Sequence, residues 1–229
     1  MTRALALAAL VLAAAPAAAA PAKPDYGILL LAHGGDPDWN AQVEDLRRRV
    51  DAKVPAEAAI GMADPATIQP ALDRLAARGV ARVIAVPFFI QSRSEVMDQT
   101  RYVLGLRRRP SEVMRRAARR FDAMMASMPL AQRMMMPKMH LFGLERVKTR
   151  LPLAMTPALD GSPIVARVLL ERARALSRDP GREIVVLVAH GPVDDRAVPA
   201  WDETLARQAA AVRRAGGFAG ASYAILRDD

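Results

Sequence analysis

Apolar and polar positions alternate along this chain in two distinct rhythms, and their order predicts the fold. The first rhythm is an unbroken run. Tyr26-Gly-Ile-Leu-Leu-Leu-Ala-His33-Gly34-Gly35 sets four large apolar residues side by side and ends in a histidine and two glycines. Such a run predicts a strand buried on both faces, as in a parallel sheet covered by helices. The second rhythm is helical. After Asp36-Pro37-Asp38, which offers caps and an N1 proline, Trp39, Val43, Leu46 and Val50 recur at helical spacing until Pro55 ends the element. A short strand over 58–62 leads to Asp64-Pro65 and a helix carrying Ile68, Leu72 and Leu75, with Gly79 as its stop. Arg82-Val-Ile-Ala-Val-Pro-Phe-Phe-Ile90 is a second strongly apolar strand; its Pro87 removes a ladder donor and so belongs near the strand's end or at a bulge. The polar loop Gln91-Ser-Arg-Ser94 then passes into a helix from Glu95 to about residue 106. Strand and helix in strict alternation predict an α/β fold with a doubly wound parallel sheet. In such sheets ligands bind at the carboxyl ends of the strands, where His33 sits.

The middle of the chain departs from this alternation. From Ser111, Met114, Ala118, Phe121, Met124, Met125 and Met128 mark one helical face, while Arg115, Arg116, Arg119 and Arg120 fall largely elsewhere. Met134-Met-Met-Pro-Lys-Met139-His140 follows, and Pro152, Pro157 and Pro163 give a linker-like passage before a helix over 164–176. Then the opening returns. Glu183-Ile-Val-Val-Leu-Val-Ala-His190-Gly191 is followed by Asp194 and Asp195, a helix with Trp201, Leu205 and Val212, a Gly216-Gly217 stop, and a strand over 221–226 leading to Asp228. No counterpart of the third strand follows. The organisation expected is a signal peptide over 1–20, a first lobe over 23–106, a Met/Arg-rich helical insert and linker over 107–163, and a partial second lobe over 164–229. Its exposed sheet edge leaves room for completion by another chain, as in a homodimer.

Composition sharpens this picture. At 229 residues and 52% hydrophobic, the chain can bury a real core, which excludes disordered and fibrous classes. Arg3 precedes an Ala/Leu/Val run too short for a membrane span, the pattern of a secretory signal peptide cleaved after Ala19 or Ala22. A periplasmic or secreted protein without stable membrane insertion is the expectation. Cysteine is absent, so disulfides, thiolate ligands and thiol nucleophiles are excluded, and any metal falls to His, carboxylate or thioether. The net charge of +9 is concentrated: residues 101–150 hold thirteen Lys/Arg against three acids. That cationic element suits an anionic partner, or is a solvated face. With aromatics at 4% and no recognition motif, nucleic acid is not expected. The cluster Met134, Met135, Met136, Met139 and His140 reads as core or lid packing, or as a soft site for Cu(I).

Three stretches together carry a resemblance: Leu29-Leu-Leu-Ala-His33-Gly34 with the acids after it, Val86-Pro-Phe-Phe-Ile90 with its polar loop, and the later Leu187-Val-Ala-His190-Gly191. They are similar to the sirohydrochlorin cobaltochelatase family, the small class II tetrapyrrole chelatases. The resemblance implies two α/β lobes facing each other across a cleft, and a lyase of the cobalamin and sirohaem type. Such an enzyme inserts cobalt, nickel or iron into sirohydrochlorin or a related tetrapyrrole; the divalent ion is its substrate, and no organic cofactor takes part. It makes His33 the first metal-handling residue. Where cobalt enzymes commonly carry a second histidine, this chain has none, and Glu95, with Gln91 and Ser94 nearby, occupies that neighbourhood. His33 and Glu95 are thus the catalytic and metal candidates, and His190 joins them as a metal candidate through the repeat. Arg115 and Arg119 are candidates for holding a polycarboxylate macrocycle. The competing readings are a non-catalytic periplasmic carrier of metal or tetrapyrrole, and an interaction module built on the basic helix.

Overall fold

The structure, a computed structural model, describes residues 25–129 and 145–227. The expected signal peptide, the Met134–His140 cluster and Asp228 lie outside the described residues. Two sheets are present among them. The first has the order β2-β1-β3-β4 with every pairing parallel, from β1 (Gly27–Ala32), β2 (Ala56–Ile60), β3 (Val83–Pro87) and β4 (Leu153–Met155). Between them run α1 (Pro37–Asp51), α2 (Pro65–Ala77), α3 (Glu95–Val103) and α4 (Glu112–Ser127). The steps β1 to β2 and β2 to β3 travel in opposite directions along the sheet. Right-handed crossovers therefore put α1 and α2 on opposite faces, which is the doubly wound arrangement expected.

The apolar run of β1 is explained by its place. It lies between β2 and β3, and Leu29, Leu30, Leu31 and Ala32 are all buried. Leu29 and Leu31 pack with Ile68, Leu72 and Leu75 of α2, Val83 and Ala85 of β3, and Met97 and Val103 of α3. Caps fix the helix starts: Asp36 accepts from Trp39 N for α1, Asp64 from Ala66 N for α2, and Ser94 from Met97 N for α3. Pro87 closes β3, opposite Leu31, as its missing donor required. One strand escaped the sequence reading. Leu153–Met155, within the linker-like passage, pairs with β3 and makes the sheet four-stranded.

The second sheet holds only β5 (Ile184–His190) and β6 (Gly220–Leu226), parallel and in register from Ile184↔Gly220 to His190↔Leu226. They are joined through α6 (Val198–Gly216), against which α5 (Pro163–Leu176) packs. This unit differs from the first in a way the apolar run of β5 did not foretell. Leu187 and Ala189 are buried with Trp201 and Leu205 of α6, but Ile184, Val186 and Val188 are 69%, 56% and 60% exposed. Only one face of β5 is covered among the described residues. Two parallel strands with one bare apolar face are half of what a parallel sheet ordinarily requires.

Candidate functional site

His33 leaves the carboxyl end of β1 and is exposed. Its neighbour β3 continues into the loop toward α3, while β1 itself turns the other way into α1, so His33 stands at the point where the chain paths diverge. Its Nδ1 lies 2.8 Å from Gly34 O. A carbonyl oxygen only accepts, so Nδ1 carries the proton, and in the neutral ring Nε2 keeps its lone pair for a metal or a proton. The loop behind it is fixed. Asn40 Oδ1 accepts from Gly35 N at 3.1 Å and its Nδ2 donates to Gly35 O at 3.0 Å. Gly34 has φ +93°, a backbone region that a side chain resists.

His190 repeats this geometry at the end of β5, with Nδ1 2.9 Å from Gly191 O. Here glycine is required by closeness, because a Cβ at Gly191 would collide with the Ile225 side chain. Arg227 holds the following turn, through Pro192 O at 3.1 Å and Asp195 Oδ1 at 2.6 Å.

Glu95 is the first residue of α3, and its carboxylate turns toward the second unit. Its Oε1 accepts from Asp194 N at 2.6 Å. It borders two recesses between the units. One, of about 500 Å³, is lined by Glu112, Arg116 and Arg120 of α4 and by Val193 to Arg196; the other, of about 410 Å³, by Ser92 to Glu95, Asp98, Arg101 and Arg196. Glu95, Val113, Asp194 and Arg196 belong to both walls. A third recess, of about 530 Å³, lies between α5 and β5; its wall is mainly aliphatic and includes none of His33, Glu95 and His190.

The arginines of α4 divide by partner. Arg115, Arg116 and Arg119 all pair with Glu112, the last two at 3.2 Å. The hydrogen bond from Arg116, followed by the charge of Arg115 and the hydrogen bond from Arg119, holds the Glu112 carboxyl below its ordinary range. The sequence singled out Arg115 and Arg119, whereas Arg116 and Arg120 line the recess. The signal was available: Glu112, Arg116 and Arg120 follow one another at i, i+4 and i+8, on one helix face.

No pattern in the sequence foretells how the units are joined. Gln91, 5% exposed, donates from Nε2 to Ala200 O at 3.0 Å and to Thr204 Oγ1 at 2.9 Å. Trp201 Nε1 donates to Arg93 O at 2.9 Å. Ser92 N and Oγ each donate to the Asp160 carboxylate at 2.6 Å, and Gln208 Nε2 reaches Asp160 O at 3.2 Å. Gln91 and Ser94, which flank the candidate Glu95, are therefore occupied by the joint and by the α3 cap. Among the described residues no three His, Asp or Glu side chains gather into a group that could hold a metal ion, and no helix is long and apolar enough to cross a membrane.

A doubly wound parallel unit with a strand-end imidazole is joined to a second unit that repeats its first strand, helix and strand, and together they define an α/β protein. The CbiX family model matches residues 27–176, more than half of the chain, and the protein belongs to that family of tetrapyrrole chelatases, whose members take a divalent metal ion as substrate. The match runs through α4, β4 and α5, a stretch that the sequence resemblance left out, and stops before the second His-Gly strand. The chain is also similar to DR2241 from Deinococcus radiodurans, a multi-domain protein described as structurally similar to chelatases, with two additional novel domains. Identity is 18% and the TM-score 0.46, over 87% of this chain and 38% of that one. No curated protein matches.

Proposed function

We propose that this protein is an exported chelatase that inserts a divalent metal, cobalt before nickel or iron, into sirohydrochlorin or a related tetrapyrrole. The observation that carries the reading is His33 at the end of β1, its Nδ1 turned onto Gly34 O, in a chain of the CbiX family. Insertion moves M²⁺ into the ring and releases two pyrrole N–H protons. A neutral Nε2 lone pair suits either task, as ligand to the arriving ion or as acceptor of a proton. Co²⁺, Ni²⁺ and Fe²⁺ all accept imidazole. In the recess beneath α4, Arg116, Arg120 and Arg196 stand beside Glu95, Glu112, Asp194 and Asp195, and these arginines are the groups that would pair with the carboxylates of the macrocycle. Arg115 and Arg119 take a secondary part, by offsetting Glu112. Export rests on the N-terminal Ala/Leu segment.

The test is an absorbance assay of sirohydrochlorin with Co²⁺, Ni²⁺ or Fe²⁺, run beside His33→Ala. Insertion above the uncatalysed rate, cut about 100-fold or more in the variant, is the expected result. A second reading, a periplasmic carrier that binds the macrocycle without metallating it, draws on the absence of a three-donor cluster among the described residues. It predicts a spectral shift on binding without turnover.

A further inference from the structure

The carboxylate of Glu95 is already employed. Its Oε1 accepts the backbone N–H of Asp194 at 2.6 Å, across 99 positions of sequence and across the boundary between the two units. Asp194 begins the short turn that follows His190-Gly191, and its own carboxylate accepts from Arg196 N at 3.0 Å and Arg196 Nε at 3.1 Å. The contact therefore ties the start of α3 to the turn after β5, and it stands where the two recesses share a wall. A charged acceptor on an amide is the stronger sort of hydrogen bond. Behind it the joint is polar and buried, with Gln91, Thr204 and Gln208 each at most 5% exposed. Nothing in that joint needs Glu95 in order to hold the units together, since Gln91, Trp201 and Asp160 already do so. Arg227 holds the same turn from within the second unit, through Pro192 O and Asp195 Oδ1, and what Glu95 adds is the hold on the Asp194 amide from the first unit.

We propose that Glu95 is a positioning residue: its carboxylate, by accepting the Asp194 amide, sets the turn after His190 and with it the shared wall of the two recesses, and it serves neither as metal ligand nor as proton acceptor. This rests on the reading that the cleft receives a macrocycle, but the hydrogen bond itself can be tested without one. A glutamine at position 95 keeps an oxygen able to accept the amide and loses the negative charge; an alanine keeps neither.

The experiment follows amide hydrogen exchange at Asp194 in the full-length protein, in Glu95→Ala and in Glu95→Gln, with the Leu72 amide as a check on folding. Exchange at Asp194 rises about tenfold or more in Glu95→Ala and returns most of the way in Glu95→Gln, while Leu72 stays protected throughout. Absorbance titration with sirohydrochlorin then shows weaker binding in Glu95→Ala, recovered in Glu95→Gln to within about twofold of the parent, and Glu95→Gln also recovers metal insertion. Unchanged exchange at Asp194 in Glu95→Ala would overturn the proposal. So would a Glu95→Gln protein that binds macrocycle normally yet inserts metal as poorly as Glu95→Ala, the mark of a ligand or base. A parent protein that binds no tetrapyrrole, with exchange at Asp194 responding as expected, would sink the chelatase reading and leave the positioning role standing.

Discussion

At the scale of single residues, glycine and histidine act as pairs. His33-Gly34 and His190-Gly191 each turn an imidazole Nδ1 onto the next carbonyl, and each glycine has its own reason to lack a side chain. Gly191→Ala forces a methyl into Ile225, and the expected loss is about 1–3 kcal/mol, read as a lower urea midpoint with the slope unchanged. Leu72→Ala, at a fully buried position of α2, should cost about 2–5 kcal/mol in the same measurement. The imidazoles were legible because an apolar run ending in His-Gly occurs twice. The acceptor of each Nδ1 proton was not, because sequence carries no record of side-chain rotation. Glu95 shows the same limit: it reads as the acid that stands in for a second metal-handling histidine, and that its partner is a backbone amide of the other unit depends on a tertiary approach no local pattern encodes.

Elements were legible to the extent that they stand on their own patterns. The strands β1, β3 and β5 and the helices α1, α2 and α6 announce themselves by apolar rhythm and capping residues. The strand β4 does not: its three residues sit among prolines and become a strand only by pairing with β3. The joint is legible least of all, since Gln91 and Thr204 are 113 positions apart and both are polar. Gln91→Ala leaves Thr204 Oγ1 and Ala200 O short of a buried partner, and a loss of about 1–3 kcal/mol is expected from thermal or urea melts. On α4, Glu112 offsets three arginines. Glu112→Gln should tighten sirohydrochlorin binding a few-fold at low salt, and titration in high salt should erase most of that gain, because exposed charges are screened within about 8 Å at physiological ionic strength.

For the molecule as a whole, several carboxyls are held below their ordinary range. Burial pushes Asp51 up but is outweighed by the Ala56 amide and Arg78; Glu183 is lowered by the Ser177 hydroxyl and then by the Arg178 and Asp179 amides; Asp194 is lowered by the Arg196 amide and side chain. In each, the folded state binds its proton less tightly than the unfolded chain. Their contribution is therefore complete above the ordinary carboxyl range, near ~4, and is lost as pH falls through the lowered folded values. Urea midpoints should hold steady from neutral pH to about 5 and decline below about 4. The two units also differ in cover. Trp201 lies in the second and Trp39 in the first, so Trp39→Phe leaves one fluorescent reporter on α6. Its signal should be lost at lower urea than the far-ultraviolet helix signal, because among the described residues the second sheet has one apolar face without cover.

The joint has a further consequence for how the chain comes together as it emerges, N-terminal end first. The four-stranded sheet is complete once Met155 has appeared, and Asp160 arrives soon afterwards to take Ser92. Gln91 and the carbonyl of Arg93 must wait for Trp201 and Thr204, and Glu95 for Asp194. For that interval the first unit is finished while the loop that will seat its neighbour stays open to water. The docking surface is thus made early and filled late, and the second unit forms against a template already in place.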